Sequence, residues 1–171
     1  MLGASKPINY TTCMRIIGID PGTGILGFGV IDVTGRKTQL VDAGVIRTPV
    51  KEDDAVRLLT IYEELTDIIA ATKPTCMSVE KLFFARNVTT AMTVAQARGV
   101  VLLCAMQAGL AIFEYTPMQI KQAITGYGKA DKKQMQEMVR VLLQLKEVPK
   151  PDDCADALAA ALTYASVARL S

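Results

Sequence analysis

Histidine is absent from this 171-residue chain, and cysteine occurs only four times. Without imidazole there is no His-based catalytic triad and no histidine general base. The cysteines, Cys13, Cys76, Cys104 and Cys154, lie far apart, form no C-x-x-C pair and have no histidine to complete a zinc set. They read as free buried thiols, which behave as small hydrophobes. Hydrolytic chemistry in this chain must therefore rest on carboxylates, lysine, serine or a bound metal. Long apolar runs are missing as well: the most apolar stretch, Gly99 to Phe113, is interrupted by Gln107 and is too short for the ~20 residues of a membrane span. Residues 1–13 contain one lysine and no apolar h-region, so they do not read as a secretory signal. The expectation is a cytoplasmic protein with no membrane contact.

What the chain does contain is enough for one folded domain. It is 50% hydrophobic and 21% charged, which excludes a disordered chain. At this length about two thirds of the unfolded surface is buried on folding. The net charge is only +2, but it is unevenly spread. Residues 73–150 hold eleven Lys+Arg against five Asp+Glu, a balance of +6, whereas residues 15–72 stand at −3 and residues 151–171 at −2. A basic middle beside acidic flanks suits a phosphate-backbone partner handled at a metal-binding site.

Residues 1–13 show neither helical nor strand periodicity and read as a flexible N-terminal extension; the domain spans 14–171. Arg15 to Asp20 is an apolar run stopped by Pro21-Gly22, the pattern of a buried strand ending in a turn. Ile25 to Val33 and Gln39 to Thr48 are two further strands separated by the turn Gly35-Arg36-Lys37. Apolar residues at helical spacing follow Asp53-Asp54 and end at Lys73-Pro74. Thr75 to Glu80 is a fourth strand, Asn87 to Ala108 a long helix with Gly109 as C-cap, and Ala111 to Tyr115 a fifth strand. Thr116-Pro117 is an N-cap and N1 pair for a short helix that breaks at Gly126-Tyr127-Gly128. Asp131 caps a helix to about Leu145, and a last alanine-rich helix starts near Asp152.

The principal order, β-β-β-α-β-α-β-α-α, predicts an α/β domain: a mixed five-stranded sheet with helices on both faces. The first three strands form a meander and the fourth returns through a crossover helix, so strands one and four lie side by side at the topological switch. Asp20 and Glu80, each at the carboxyl end of its strand, then meet at one edge of the sheet.

A carboxylate ending an apolar strand is costly unless it is solvated or paired. Asp153 and Asp156, three apart at the start of the last helix, share one helix face. Carboxylates converging at one point need a cation to stay ionised. Oxygen donors without histidine or cysteine select a hard ion, Mg²⁺ or Mn²⁺. Two such ions ~4 Å apart can clamp the attacking and leaving oxygens of a phosphodiester displacement.

The run Met14-Arg15-Ile16-Ile17-Gly18-Ile19-Asp20-Pro21-Gly22-Thr23-Gly24 resembles the opening of the RuvC Holliday-junction resolvases, members of the RNase H-like superfamily. Val79 to Asn87, Gln96 to Val100, Gly126 to Gln134 and Asp153 to Leu158 agree with that family in order and spacing, so the resemblance covers nearly the whole domain. It implies an RNase H-like fold and a homodimeric, metal-dependent endonuclease that nicks two opposed strands of four-way junction DNA. Mg²⁺ or Mn²⁺, two ions per site, would be held by the residues matching the family's acids: Asp20, Glu80, Asp153 and Asp156. Asp152 is adjacent, but only Asp153 gives the D-x-x-D spacing. Lys121 and Lys132 match lysines that the family uses at the scissile phosphate, where a cation stabilises developing charge. Lys81, Arg86, Arg98, Lys129 and Lys133 are candidates for backbone contacts that position DNA without reading sequence. Phe83 lies where the family has an aromatic that approaches unpaired bases at the junction centre; Phe84 beside it is the alternative, one of the two being a core residue. The family also implies the branch-migration proteins RuvA and RuvB as partners, and a bacterial, nucleoid-associated location.

The long helix carries small residues at Thr90, Ala91, Ala95, Ala97 and Gly99, which permit close approach of a second copy of the helix while another face packs on its own sheet. Three other readings compete. An actin-like ATPase needs a second glycine-rich phosphate hairpin and roughly twice this length. An RNase H-like nuclease acting on RNA shares the strand-end Asp but is not expected to carry the Glu80–Asn87 segment with the glycine-lysine loop. A non-catalytic junction-binding scaffold is expected to have lost an acid, and none is lost here.

Overall fold

A computed structural model describes residues 13–82 and 88–170. Of the predicted extension only Cys13 falls among them. Strand β1 (Met14–Asp20) is followed by β2 (Ile25–Thr34), β3 (Lys37–Arg47), helix α1 (Asp54–Thr72), β4 (Cys76–Glu80), α2 (Val88–Gln107) and β5 (Ala111–Tyr115). Three helices close the chain, α3 (Pro117–Thr125), α4 (Lys132–Leu142) and α5 (Asp152–Leu170). The expected order counts two helices after the last strand and leaves out the short one read after Thr116-Pro117. That helix forms as read, runs nine residues, and is fixed at its start by a capping box in which Thr116 and Gln119 each bond the other's backbone N–H.

The sheet order is β3-β2-β1-β4-β5. β1 pairs antiparallel with β2 and parallel with β4, so the topological switch lies between β1 and β4, as the meander-plus-crossover argument requires. Most boundaries lie within a residue of the sequence reading, and the larger differences fall at two places. Pairing continues to Thr34 opposite Lys37, which shortens the turn to Gly35-Arg36. Helix α4 stops at Leu142 rather than Leu145, because Gln144 adopts a left-handed φ of 54° and Leu145 N–H turns back to the Arg140 carbonyl at 2.9 Å.

Two apolar layers sandwich the sheet. Ile17, Ile19, Leu26, Val30, Ile46, Met77 and Val79 pack with α1 and α2 residues such as Ile61, Leu65 and Val101. Ile16, Ile31 and Cys76 pack on the other face with Ile124 of α3, Val139 of α4 and Leu158 of α5. Each fully buried Ile or Leu contributes about 1.5–3 kcal/mol relative to exposure. Cys76, Cys104 and Cys154 are buried free thiols as expected, whereas Cys13 is exposed at the start of β1.

Candidate active site

Side chains alternate across a strand, so Ile16, Gly18 and Asp20 point to one face of β1. In β4, Cys76, Ser78 and Glu80 do the same. Ile16 stands opposite Cys76 and Ile19 opposite Val79, which makes Asp20 and Glu80 the next neighbours in register. The face they share is the one that α5 covers. A Cβ on Gly18 would come within 2.0 Å of the Ala157 carbonyl oxygen, and the buried Ser78 hydroxyl donates to the Ala160 carbonyl at 2.6 Å.

The start of α5 lies over the strand ends. Asp20 pairs with Gly27 of β2, and a Cβ on Gly27 would sit 2.1 Å from the Asp153 carbonyl oxygen and 3.1 Å from its Cβ. Glycine at 27 thus lets the first turn of α5 descend onto the Asp20 pair. Asp156, three residues along, lies on the same side of the helix.

Electrostatics reports the same convergence. Burial pushes Asp20 up to about 7, and the negative charges of Asp156, Glu80 and Asp153 push in the same direction against Lys132. Glu80 is raised by burial and by Asp156, with Lys121 opposing. Asp156 is raised chiefly by burial; Lys132 opposes this, and Asp153 and Asp152 reinforce it. One carboxyl at the centre is therefore half-protonated near neutrality unless a cation joins the cluster.

Both predicted lysines are brought to these acids by helix caps. Asp131 accepts from Gln134 N–H at 2.9 Å while Gln134 Oε1 accepts from Asp131 N–H at 2.9 Å. This sets Lys132 at the first position of α4. Lys132 Nζ lies 3.1 Å from Asp152 Oδ2 and 3.7 Å from Asp156 Oδ2. Asp152 is also held by Gln136 Nε2 at 2.9 Å, so α4 engages Asp152 while Asp153 stands over Gly27. Lys121, on α3, acts on Glu80 through space and opposes its raised pKa.

The remaining predicted cations are distributed differently. Lys81 is exposed directly after Glu80, with its N–H donating to Tyr115 O at 2.8 Å. Lys129 and Lys133 are exposed on either side of Lys132. Arg98 forms an ion pair with Glu114 of β5 and is largely buried, so its partner is not one of the four acids. Phe83, Phe84 and Arg86 lie outside the described residues.

The family model described as crossover junction endodeoxyribonuclease RuvC matches residues 16–164. The chain belongs to the RuvC family. The crossover junction endodeoxyribonuclease RuvC of Heliobacterium modesticaldum is 57% identical over 152 residues, covering 89% of this chain and 94% of the relative. Its Pseudothermotoga lettingae counterpart is 51% identical, covering 92% and 98%. Among solved structures, Thermus thermophilus RuvC in complex with Holliday junction substrate superposes with a TM-score of 0.87 at 41% identity, covering 92% of this chain and 96% of that one. The yeast mitochondrial Holliday junction resolvase shares the fold, with a TM-score of 0.67 at 14% identity.

This RuvC-family chain is thus an endodeoxyribonuclease that resolves Holliday junctions, built on an RNase H-like α/β fold. Membership implies dependence on a divalent metal. Among the described residues no three His, Cys, Asp or Glu side chains are gathered closely enough to grip an ion as they stand. The donor set nonetheless fits a hard cation, since it is all oxygen. The raised Asp20, Glu80 and Asp156 are groups whose charge a cation would compensate. Among the described residues, no helix is long and apolar enough to cross a membrane.

What the sequence reading missed in this RuvC-family site is the packing that aims the acids. Gly18 and Gly27 are there for close approach: Gly18 faces Ala157 and Ala161, which are small for the same reason, and Gly27 faces the Asp153 backbone. The signal was present as small residues at period two in the strands and period four in α5. Which small face meets which, however, is set by tertiary contact.

Proposed function

We propose that Asp20, Glu80, Asp153 and Asp156 hold the divalent metal of this endonuclease, Mg²⁺ or Mn²⁺ and two ions per site, at the carboxyl ends of β1 and β4. The observation that carries this reading is the mutual influence of these carboxyls: Asp20 is raised by the other three as well as by burial. When bound, the metal would activate water and offset charge on the phosphate. In the hydrolysis a water oxygen forms a bond to phosphorus, one P–O ester bond breaks, and the departing alkoxide takes up a proton. Lys121 and Lys132 offset negative charge on the phosphate as the bond breaks. Lys81, Lys129 and Lys133, exposed around the site, hold the DNA backbone, with Arg86 in the same role and Phe83 stacking on an unpaired base. Arg98 joins them only if DNA displaces it from Glu114.

Paired nicks across a junction need two equivalent sites, and a homodimer supplies them. One side of α2 supports this assembly: Met92, Ala95, Gln96, Gly99, Leu103 and Met106 are all exposed and follow the spacing of a single helix stripe. Ala97, Val101, Cys104 and Ala105 meanwhile pack inward. The dimer would have a mass of about 37 kDa, twice the 18.4 kDa chain. RuvA and RuvB as partners, and a place at the nucleoid in the cytoplasm, complete this reading by analogy with the family.

The test compares nicking of a four-way junction, a linear duplex and an RNA hairpin, each with and without divalent metal. The junction alone should be nicked, in opposed strands and only with metal. Asp20→Asn should abolish nicking and leave junction binding intact or tighter; full activity in this variant would overturn the assignment.

A further inference from the structure

We propose that Thr48 and Arg57 form a positioning pair that braces the loop after Asp20 and so fixes that carboxylate for metal binding. The inference rests on the reading of Asp20 as a metal ligand. Residues 21–24 connect β1 to β2, and the loop is tightly folded: a Cβ on Gly22 would lie 2.1 Å from the Ile25 carbonyl oxygen. Thr48, directly after β3, is buried beneath it, with 5% of its surface exposed. Its hydroxyl donates to the Thr23 carbonyl at 2.6 Å, and its N–H donates to the Gly24 carbonyl at 3.1 Å. The same hydroxyl accepts from Arg57 Nε at 3.0 Å, so the proton it gives to the loop is set by the proton it receives from α1.

Arg57 is itself held. It stands in the first turn of α1 with one guanidinium nitrogen 3.8 Å from Asp54 Oδ1, and its other terminal nitrogen would be 3.4 Å from a Cβ on Gly24. The guanidinium thus lies alongside the loop at van der Waals distance. The Thr23 hydroxyl is buried and has no partner among the described residues, so within this network the loop is gripped through its main-chain carbonyls, by Thr48 alone. Three separate segments, the loop, the end of β3 and the start of α1, thereby converge within four residues of Asp20.

The experiment uses the full chain and four variants, Thr48→Val, Thr48→Ser, Arg57→Lys and Asp20→Asn. It reads single-turnover nicking against Mg²⁺ concentration, Mn²⁺ binding without DNA by electron paramagnetic resonance, amide exchange of residues 22–25, and melting temperature. Thr48→Val should lower nicking about 10- to 100-fold, the scale of a small misplacement near reacting groups. It should also weaken Mn²⁺ binding and speed exchange in the loop, with junction affinity unchanged. Thr48→Ser keeps the hydroxyl and should recover all three, while Arg57→Lys keeps the charge but loses the Nε donor and should fall between them. Faster loop exchange or a lower melting temperature in Thr48→Val, with wild-type nicking and wild-type Mn²⁺ binding, would make the network merely structural and overturn the proposal. Asp20→Asn separates the two failures. If it loses Mn²⁺ binding and nicking while Thr48→Val is normal, only the brace is wrong; if it keeps both, the metal-ligand reading falls and takes the brace with it.

Discussion

At the end of the sheet that carries the acids the two faces are built on opposite rules, although each carries an apolar layer farther along. Against α1 and α2 the strands present Ile17, Ile19, Leu26, Val30, Met77 and Val79, large side chains with no exposure. Against α5, near the carboxyl ends, they present Gly18, Gly27 and Ser78, and the helix answers with Ala157, Ala160 and Ala161. The first face supplies buried apolar volume, the main favourable term in folding. The second sacrifices that volume so that a helix backbone can lie on a strand, which brings Asp153 and Asp156 to the level of Asp20 and Glu80. Stability and aim are therefore assigned to different sides of one β-strand, residue by residue.

The comparison is broken most forcefully at Gly27. An added methyl there meets the Asp153 backbone at 2.1 Å, so Gly27→Ala must lift the first turn of α5 away from the strand ends. Nicking per folded molecule should fall by at least about 100-fold, with Mn²⁺ binding weakened in parallel. A Gly27→Ala enzyme that folds and nicks normally would show that the close approach does not aim the site. The matching change on the opposite face is Ile17→Ala. It should destabilise by about 2–5 kcal/mol, as large-to-small core changes do, yet leave nicking per folded molecule unchanged well below its melting temperature. Denaturant titration and single-turnover assays on the two variants separate the two roles.

A smaller effect sharpens the comparison through pH. Asp20 stands at about 7 in the folded protein against an ordinary 3.8, so the folded state holds this proton more tightly than the unfolded chain. Below pH ~4 both states are protonated and the group contributes nothing to stability. As pH rises from ~4 to ~7 the unfolded chain releases its proton first, so stability falls through that window. The loss amounts to a few kcal/mol at most. Without added metal, the melting temperature should decline between pH 5 and pH 8, Asp20→Asn should flatten the decline, and Mg²⁺ should reverse it. A decline of equal size in Asp20→Asn would place its origin elsewhere.

The division between the faces also explains what was legible in the sequence. Asp20 and Glu80 stand out because a charge at the end of an apolar strand conflicts with its surroundings, and the crossover rule alone brings their strands together. The caps at Thr116 and Asp131 are local chemistry and read directly. The end of α4 falls three residues before the position that the pattern predicts, because Gln144, not a glycine, takes the left-handed position. Small residues that exist for close approach carry no such conflict. Gly27 looks like any glycine in a strand until the Asp153 backbone is above it, and those residues are far apart in the chain. Arg98 is similar: its pairing with Glu114 joins α2 to β5, and nothing local distinguishes it from a lysine or arginine left free for DNA.

The smallest expected effect concerns Lys132, which lies where α4 meets the aimed face. Its ammonium joins α4 to Asp152 and Asp156 of α5, and solvent-exposed ion pairs of this kind contribute little to stability. Lys132→Ala should therefore change the melting temperature little. Asp156 loses the cation that opposes its raised pKa, so it should hold its proton to higher pH, and the acid limb of the pH–rate profile should move upward. If Lys132 also contacts a phosphate, the slope of log binding constant against log salt should become shallower by about one unit. Lys133→Ala, at an exposed neighbour with no carboxylate partner among the described residues, should change the salt slope by the same amount and leave the pH limb where it was. A Lys132 variant that alters the salt slope but not the pH limb would act on DNA alone, and the coupling of α4 to the acids would then have no part in the chemistry.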